Sequence, residues 1–140
     1  MGCKEIAMDS ELKERVKLHE GLSLKPYKCP AGKLTIGYGR NIQDNGITTA
    51  EAELMLDNDL AAARTAADRF KWFWILDEAR QGVVVEMIYN LGLPTFLGFR
   101  NMIAALREMD YEGASEQMLD SKWAKQVGNR ADTLAAIMRG

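Results

Sequence analysis

The chain changes period once, between residues 22 and 42, and that change constrains its fold more than any other feature. Before it, apolar residues keep helical spacing: Leu12, Val16 and His19 fall on one face. Gly21 then stops the pattern. Leu34, Ile36 and Tyr38 next alternate with Thr35, Gly37 and Gly39, the pattern of a short strand. Cys29-Pro30-Ala31-Gly32 ahead of it is turn chemistry, and Leu24–Lys28 is the candidate partner strand. Glycines weaken a strand unless something must approach its backbone closely. After Asn45-Gly46 the helical period returns and stays. One helix, a small antiparallel sheet and then only helices is an α+β fold.

The helices have readable ends. Asp9 and Ser10 can cap a first helix of about Ser10–Glu20. Thr48 and Glu51 have capping-box spacing ahead of a long helix, roughly Thr49–Arg69. Its stripe is Ala52, Met55, Leu56, Leu60, Ala63 and Ala67, and its length suits a connection between two lobes. Helices are predicted over Asp77–Leu91, Gly98–Met109, Asp110–Leu119 and Asn129–Met138. Gly92-Leu93-Pro94 ends the first of these four. The expected organisation is one domain, 1–140: a sheet lobe at 21–47, a connecting helix at 48–70, and a helical lobe from 8–20 and 75–140.

Composition excludes several classes. A net charge of −2 argues against a dedicated nucleic-acid binder, which needs a basic face. No apolar run approaches a membrane span, so no stable membrane insertion is expected. Residues 1–10 lack a signal-peptide core, which points to synthesis in the cytoplasm without a signal peptide. With one histidine and two cysteines, no metal site has enough soft ligands, and no cofactor is implied. A monomer is the expected form.

The residue that invites chemistry is Glu20. It ends a helix, where the macrodipole is negative and a purely structural carboxylate is poorly placed. Glycoside hydrolysis needs such a group as proton donor, plus a second group that activates water or stabilises the oxocarbenium-like sugar.

Read whole, Glu20-Gly21, Leu24, Tyr27, Cys29, Gly32 and Thr35-Ile36-Gly37-Tyr38-Gly39 resemble the active-site hairpin of phage-type lysozymes, glycoside hydrolase family 24. Eight residues separate Glu20 from Cys29 and five separate Cys29 from Thr35, which is the spacing of that family. Gly46-Ile47-Thr48 with Glu51-Ala52-Glu53, Met87-Ile88-Tyr89-Asn90-Leu91-Gly92, Gly98-Phe99, Ser121-Lys122-Trp123 and Asn129-Arg130-Ala131 extend the likeness over roughly residues 12 to 131.

The resemblance implies a lysozyme-like fold and a peptidoglycan substrate, cut at the β-1,4 bond between N-acetylmuramic acid and N-acetylglucosamine to lyse a bacterial host, with action on the cell wall from the host cytoplasm and then the periplasm. It implies Glu20 as general acid, Cys29 as the second group in place of the commoner Asp, and Thr35 as the group that positions water or sugar. Asn90, Phe99 and Ser121 match cleft-lining positions, and Arg130 matches an arginine that pairs with the catalytic Glu. A free thiol is mostly protonated at neutral pH, and an ionised Glu20 beside it would make Cys29 harder still to deprotonate. Trp123 reads as a core anchor, Trp72, Phe73 and Trp74 as packing or an interlobe plug, and His19 as structural. A Cys3–Cys29 disulfide is the caging device that some such endolysins use, but the membrane-tethering segment of those enzymes is missing here.

Two other functions share these residues. A lytic transglycosylase cleaves the same bond without water and needs Glu20 alone. A non-catalytic peptidoglycan-binding module on the same fold is permitted by the absence of the usual Asp. A chitinase or chitosanase reading has no positive feature.

Overall fold

The computed structural model describes the backbone of residues 2–140 and the side chains from residue 9 onward. Two compact units emerge, residues 1–52 and 53–140.

The first unit opens with α1 (Gly2–Glu20), which begins eight residues before the predicted start. Asp9 and Ser10 therefore lie inside a helix rather than capping one. Gly21 closes it with φ +71°, its N–H reaching the Lys17 carbonyl at 2.9 Å. The predicted hairpin follows as β1 (Ser23–Lys28) and β2 (Leu34–Gly37), with a short third strand β3 (Arg40–Asn41). The sheet is antiparallel in the order β1-β2-β3. Thr35 pairs with Tyr27 on one side and Asn41 on the other, so it sits on the central strand. Between Ser23 and Tyr27 the register shifts, a bulge around Pro26, which has no N–H to give a ladder. A single turn, α2 (Ile42–Asn45), is capped by the Asn41 side chain.

Helix α3 (Thr49–Ala67) runs through the boundary between the units without a glycine or proline. Its first turn is the predicted capping box made real. Glu51 N–H donates to Thr48 Oγ1 at 3.1 Å, and Thr48 N–H donates to Glu51 Oε1 at 2.8 Å.

The second unit is helical: a 3₁₀ turn (Lys71–Ile75), then α4 (Glu78–Leu91), α5 (Leu93–Leu97), α6 (Arg100–Arg107), α7 (Tyr111–Leu119), α8 (Lys122–Val127) and α9 (Asn129–Arg139). Gly92 ends α4 at φ +81°, and Pro94 starts α5 in the first turn, where its missing N–H costs nothing. The proline that was read as a stop thus also begins a helix. The core is rich in methionine: Met87, Met102, Met118 and Met138 are fully buried with Phe73, Phe96, Val84 and Leu106. Unbranched, polarisable side chains fill the irregular gaps between short helices. Ser115 is buried among them with its hydroxyl bonded to the Ala135 carbonyl at 3.0 Å. The α+β fold read from the sequence is therefore the fold observed.

Candidate active site

Glu20 is the last residue of α1 and is exposed, yet its carboxylate has a defined neighbour. It lies directly over Gly39, just past β2. A Cβ built on Gly39 would stand 2.8 Å from the Glu20 Cδ and closer still to Oε2. Three residues before Glu20 on α1, the Lys17 ammonium sits 5.5 Å from the ring centroid of Tyr38. Two helix positions one turn apart thus rest on two successive hairpin residues. The predicted close approach to the strand backbone is the approach of this carboxylate.

Cys29 begins the turn between β1 and β2 and is half-buried, with a free thiol. Its N–H donates to the Lys33 carbonyl at 2.9 Å, and Gly32 N–H donates to the Cys29 carbonyl at 2.8 Å. The turn wraps its backbone around Sγ. Hydrogen bonding with the Lys33 backbone holds the thiol below its ordinary pKa; the Ala31 backbone, the Thr35 hydroxyl and its own backbone act in the same sense, while partial burial opposes them. The expected resistance to ionisation is reversed: local donors stabilise the thiolate. Cys3, the proposed disulfide partner, lies outside the described side chains.

Thr35 is the only buried polar side chain of the hairpin among the described residues, 3% exposed. Its hydroxyl donates to the Lys33 carbonyl at 2.9 Å and also reaches the Cys29 thiol. One hydroxyl has one proton, so Thr35 serves either the carbonyl or a thiolate at any moment. Cys29 and Thr35 are brought together as the sequence spacing implied, through Lys33, which the spacing did not single out.

In the second unit the remaining predicted residues fall into two places. Trp123 Nε1 donates to Asn90 Oδ1 at 2.7 Å, and Phe99 meets the Trp123 ring edge-on at 6.1 Å. Ser121 caps α8: its Oγ accepts from Ala124 N–H at 3.1 Å and donates to the Met118 carbonyl at 2.6 Å. Phe99, Ser121 and Trp123 line one cavity of about 510 Å³ with Leu91, Gln117 and Gln126. Asn90 is not in its wall; it orients Trp123, which is buried as expected of an anchor.

Arg130 stands apart. Its Nε donates to Glu86 Oε2 at 2.8 Å, and both line a separate groove with Leu60, Arg64 and Tyr89. Within the second unit, the partner of Arg130 is Glu86. Trp72 and Phe73 pack in the core, whereas Trp74 is largely exposed, its indole N–H held by the Asp68 carbonyl at 2.9 Å.

A helix closing over a small antiparallel hairpin sheet, followed by a methionine-rich helical unit, is a lysozyme-like α+β arrangement. The match to the family described as phage lysozyme extends over residues 17–139, and the chain belongs to that family. It is 33% identical over 128 residues to an endolysin of Acyrthosiphon pisum secondary endosymbiont phage 1, covering 89% of this chain and 86% of that one. A probable T4-type lysozyme of Dictyostelium discoideum is 23% identical over 94% of this chain and 95% of its own length. A SAR-endolysin of Bacteriophage PS34 is 30% identical over 79% of this chain and 66% of that one. Among the described residues, no helix is long and apolar enough to cross a membrane.

Proposed function

We propose that the chain is a muramidase that hydrolyses the β-1,4 bond between N-acetylmuramic acid and N-acetylglucosamine in peptidoglycan, with Glu20 as proton donor to the leaving oxygen. The observation that carries this reading is the seating of the Glu20 carboxylate on Gly39, which limits where the acid can point without burying it in a salt bridge. A donor must be aimed before its pKa matters. Cys29 supplies the second group. Its backbone donors and Thr35 favour a thiolate, which brings negative charge and a lone pair where an oxocarbenium-like sugar or a water needs them. Thr35, with one proton to share between Lys33 and Cys29, orients that group. Phe99 and Ser121 in their cavity, Asn90 through Trp123, and Arg130 with Glu86 serve substrate binding from the second unit. The endolysin relatives support action on the bacterial wall.

The test is clearing of outer-membrane-permeabilised cells by wild type, Glu20→Gln and Cys29→Ser side by side, with mass spectrometry of the released muropeptides. Loss of about 10² to 10⁴-fold in Glu20→Gln is expected from removal of the general acid. Products lighter by one water would show a lytic transglycosylase, and near-normal clearing by Glu20→Gln would reject the assignment.

A further inference from the structure

Along the described stretch of α1 a single side chain is withdrawn from solvent, and it is a lysine. From Asp9 to Glu20 every residue is exposed, Leu12, Val16 and Leu18 included, except Lys17, which is half-buried. Lysine is among the side chains least often buried, because its charge favours water. What receives it is Tyr38, whose ring centroid lies 5.5 Å from the Lys17 Nζ. That is within the ~6 Å over which an ammonium is attracted to the face of an aromatic ring. Gly37 and Gly39 flank Tyr38 and bring no side chains of their own beside the ring.

Both partners adjoin the proposed acid. Lys17 precedes Glu20 by one helical turn, and Tyr38 precedes Gly39, over which the Glu20 carboxylate lies. The Lys17 carbonyl also accepts the Gly21 N–H at 2.9 Å, the bond that closes the helix. The side chain of Lys17 therefore ties the hairpin to the same turn that its backbone ends. Glu20 has little else to hold it: it is exposed, and among the described residues its carboxylate forms no ion pair. The other charge near Lys17 is Glu14 at 3.4 Å, an exposed pair within α1 of the kind that contributes little.

We propose that Lys17 and Tyr38 are positioning residues for the general acid: the ammonium on the ring fixes the last turn of α1 against the hairpin, and through it the aim of the Glu20 carboxylate. The inference rests on the reading of Glu20 as that acid. A proton donor held by one turn of helix loses its aim when that turn rocks, and geometry is the first requirement of a general acid. A misplacement of about 1 Å can cost up to about a hundredfold in rate.

The experiment measures kcat and KM on soluble peptidoglycan strands, with urea unfolding alongside. The variants are Lys17→Met, Lys17→Arg, Tyr38→Leu, Tyr38→Phe and the Lys17→Met/Tyr38→Leu double. Lys17→Met and Tyr38→Leu should each lower kcat about tenfold with KM held, because only the transition state needs the aimed proton. Lys17→Arg keeps a cation and Tyr38→Phe keeps the ring, so both should stay within about twofold of wild type. The double variant should be no worse than the more impaired single, since each change removes the same contact. In a Glu20→Gln background Lys17→Met should cost nothing further, because no acid is left to aim. Near-normal turnover by Glu20→Gln would reject the acid itself. An inactive Glu20→Gln beside fully active Lys17→Met and Tyr38→Leu would overturn the positioning role alone. So would losses that multiply in the double variant, or losses that follow urea stability and are shared by Lys17→Arg and Tyr38→Phe. Should Tyr38→Leu fail to fold, Lys17→Met with its Lys17→Arg rescue decides the matter.

Discussion

The Glu20 carboxylate occupies the space that a Cβ on Gly39 would fill. Gly39 also has φ +77°, which other residues adopt at a cost of about 1–2 kcal/mol. Two effects are thus combined at one position, and a second glycine separates them. Gly46 has φ +61° and nothing within 4 Å of an added Cβ. Gly39→Ala and Gly46→Ala should lose similar stability in urea unfolding. Gly39→Ala alone should also displace the acid and lose about a hundredfold in clearing rate, the scale of a misplaced general acid. Equal activity in the two variants would refute the positioning role.

The donors around Cys29 predict a thiol that ionises below the ordinary value of about 8.5. The pH dependence of iodoacetamide alkylation measures this directly. Thr35→Val should move the profile part of the way back up, since the Lys33 backbone remains the larger influence. The sign for stability follows from linkage. A folded-state pKa lowered below the unfolded one stabilises the fold above the ordinary thiol value, and that contribution fades as pH falls through the folded value. If the thiolate is the working form, Cys29→Asp should shift the rising limb of activity from the thiol range to the carboxylate range, near about pH 4.

The parts of this architecture legible in the sequence are those set by neighbours in the chain. The Thr48–Glu51 box, the Gly92 stop and the β1–β2 hairpin each depend on residues a few positions apart, and spacing reports them. The Cys29–Thr35 meeting was legible for the same reason, because a tight hairpin folds near positions onto each other. The ionisation of Cys29 was not, because it is governed by backbone N–H groups that every residue possesses and only the turn's geometry aims. The pairing of Arg130 with Glu86 spans 44 positions and two helices, and no local pattern distinguishes Glu86 from another solvated helix glutamate. Helix α8 was missed because six residues show too little periodicity, although Ser121 was singled out on other grounds and proves to be its cap.

The Arg130–Glu86 bond predicts a measurable but small coupling. Both side chains are over a third exposed, at 36% and 42%, so solvent screens the pair. A double-mutant cycle with Arg130→Ala and Glu86→Ala should give a coupling of about 0.2–1 kcal/mol in unfolding free energy. In the proposed substrate role, Arg130→Ala should lower clearing more than its stability loss explains, whereas Glu86→Ala should free the arginine and lower it less. Matched activity losses in the two variants would mean that the pair acts on substrate as one unit or only through stability.

The junction of sheet and long helix makes the last prediction. Glu51 accepts from the Arg40 guanidinium and from Thr48 N–H, and these hold its carboxyl down at about 2, with Arg40 the larger influence. Its folded pKa lies below the unfolded value, so its contribution to stability is present above about pH 4.5 and is lost as pH falls towards 2. Glu51→Gln keeps a side-chain acceptor for the Thr48 N–H but removes the charge that Arg40 binds. Its unfolding free energy should therefore lose the part of the wild-type acid dependence that lies between those values. Thr48→Ala removes the reciprocal acceptor for Glu51 N–H and should cost about 1 kcal/mol at neutral pH. Its acid dependence should survive, because the Arg40 contact remains. Urea midpoints of the two variants at neutral pH and near pH 3 separate the charge from the cap, and a Glu51→Gln acid profile parallel to wild type would show that the Arg40 pair contributes nothing to the fold.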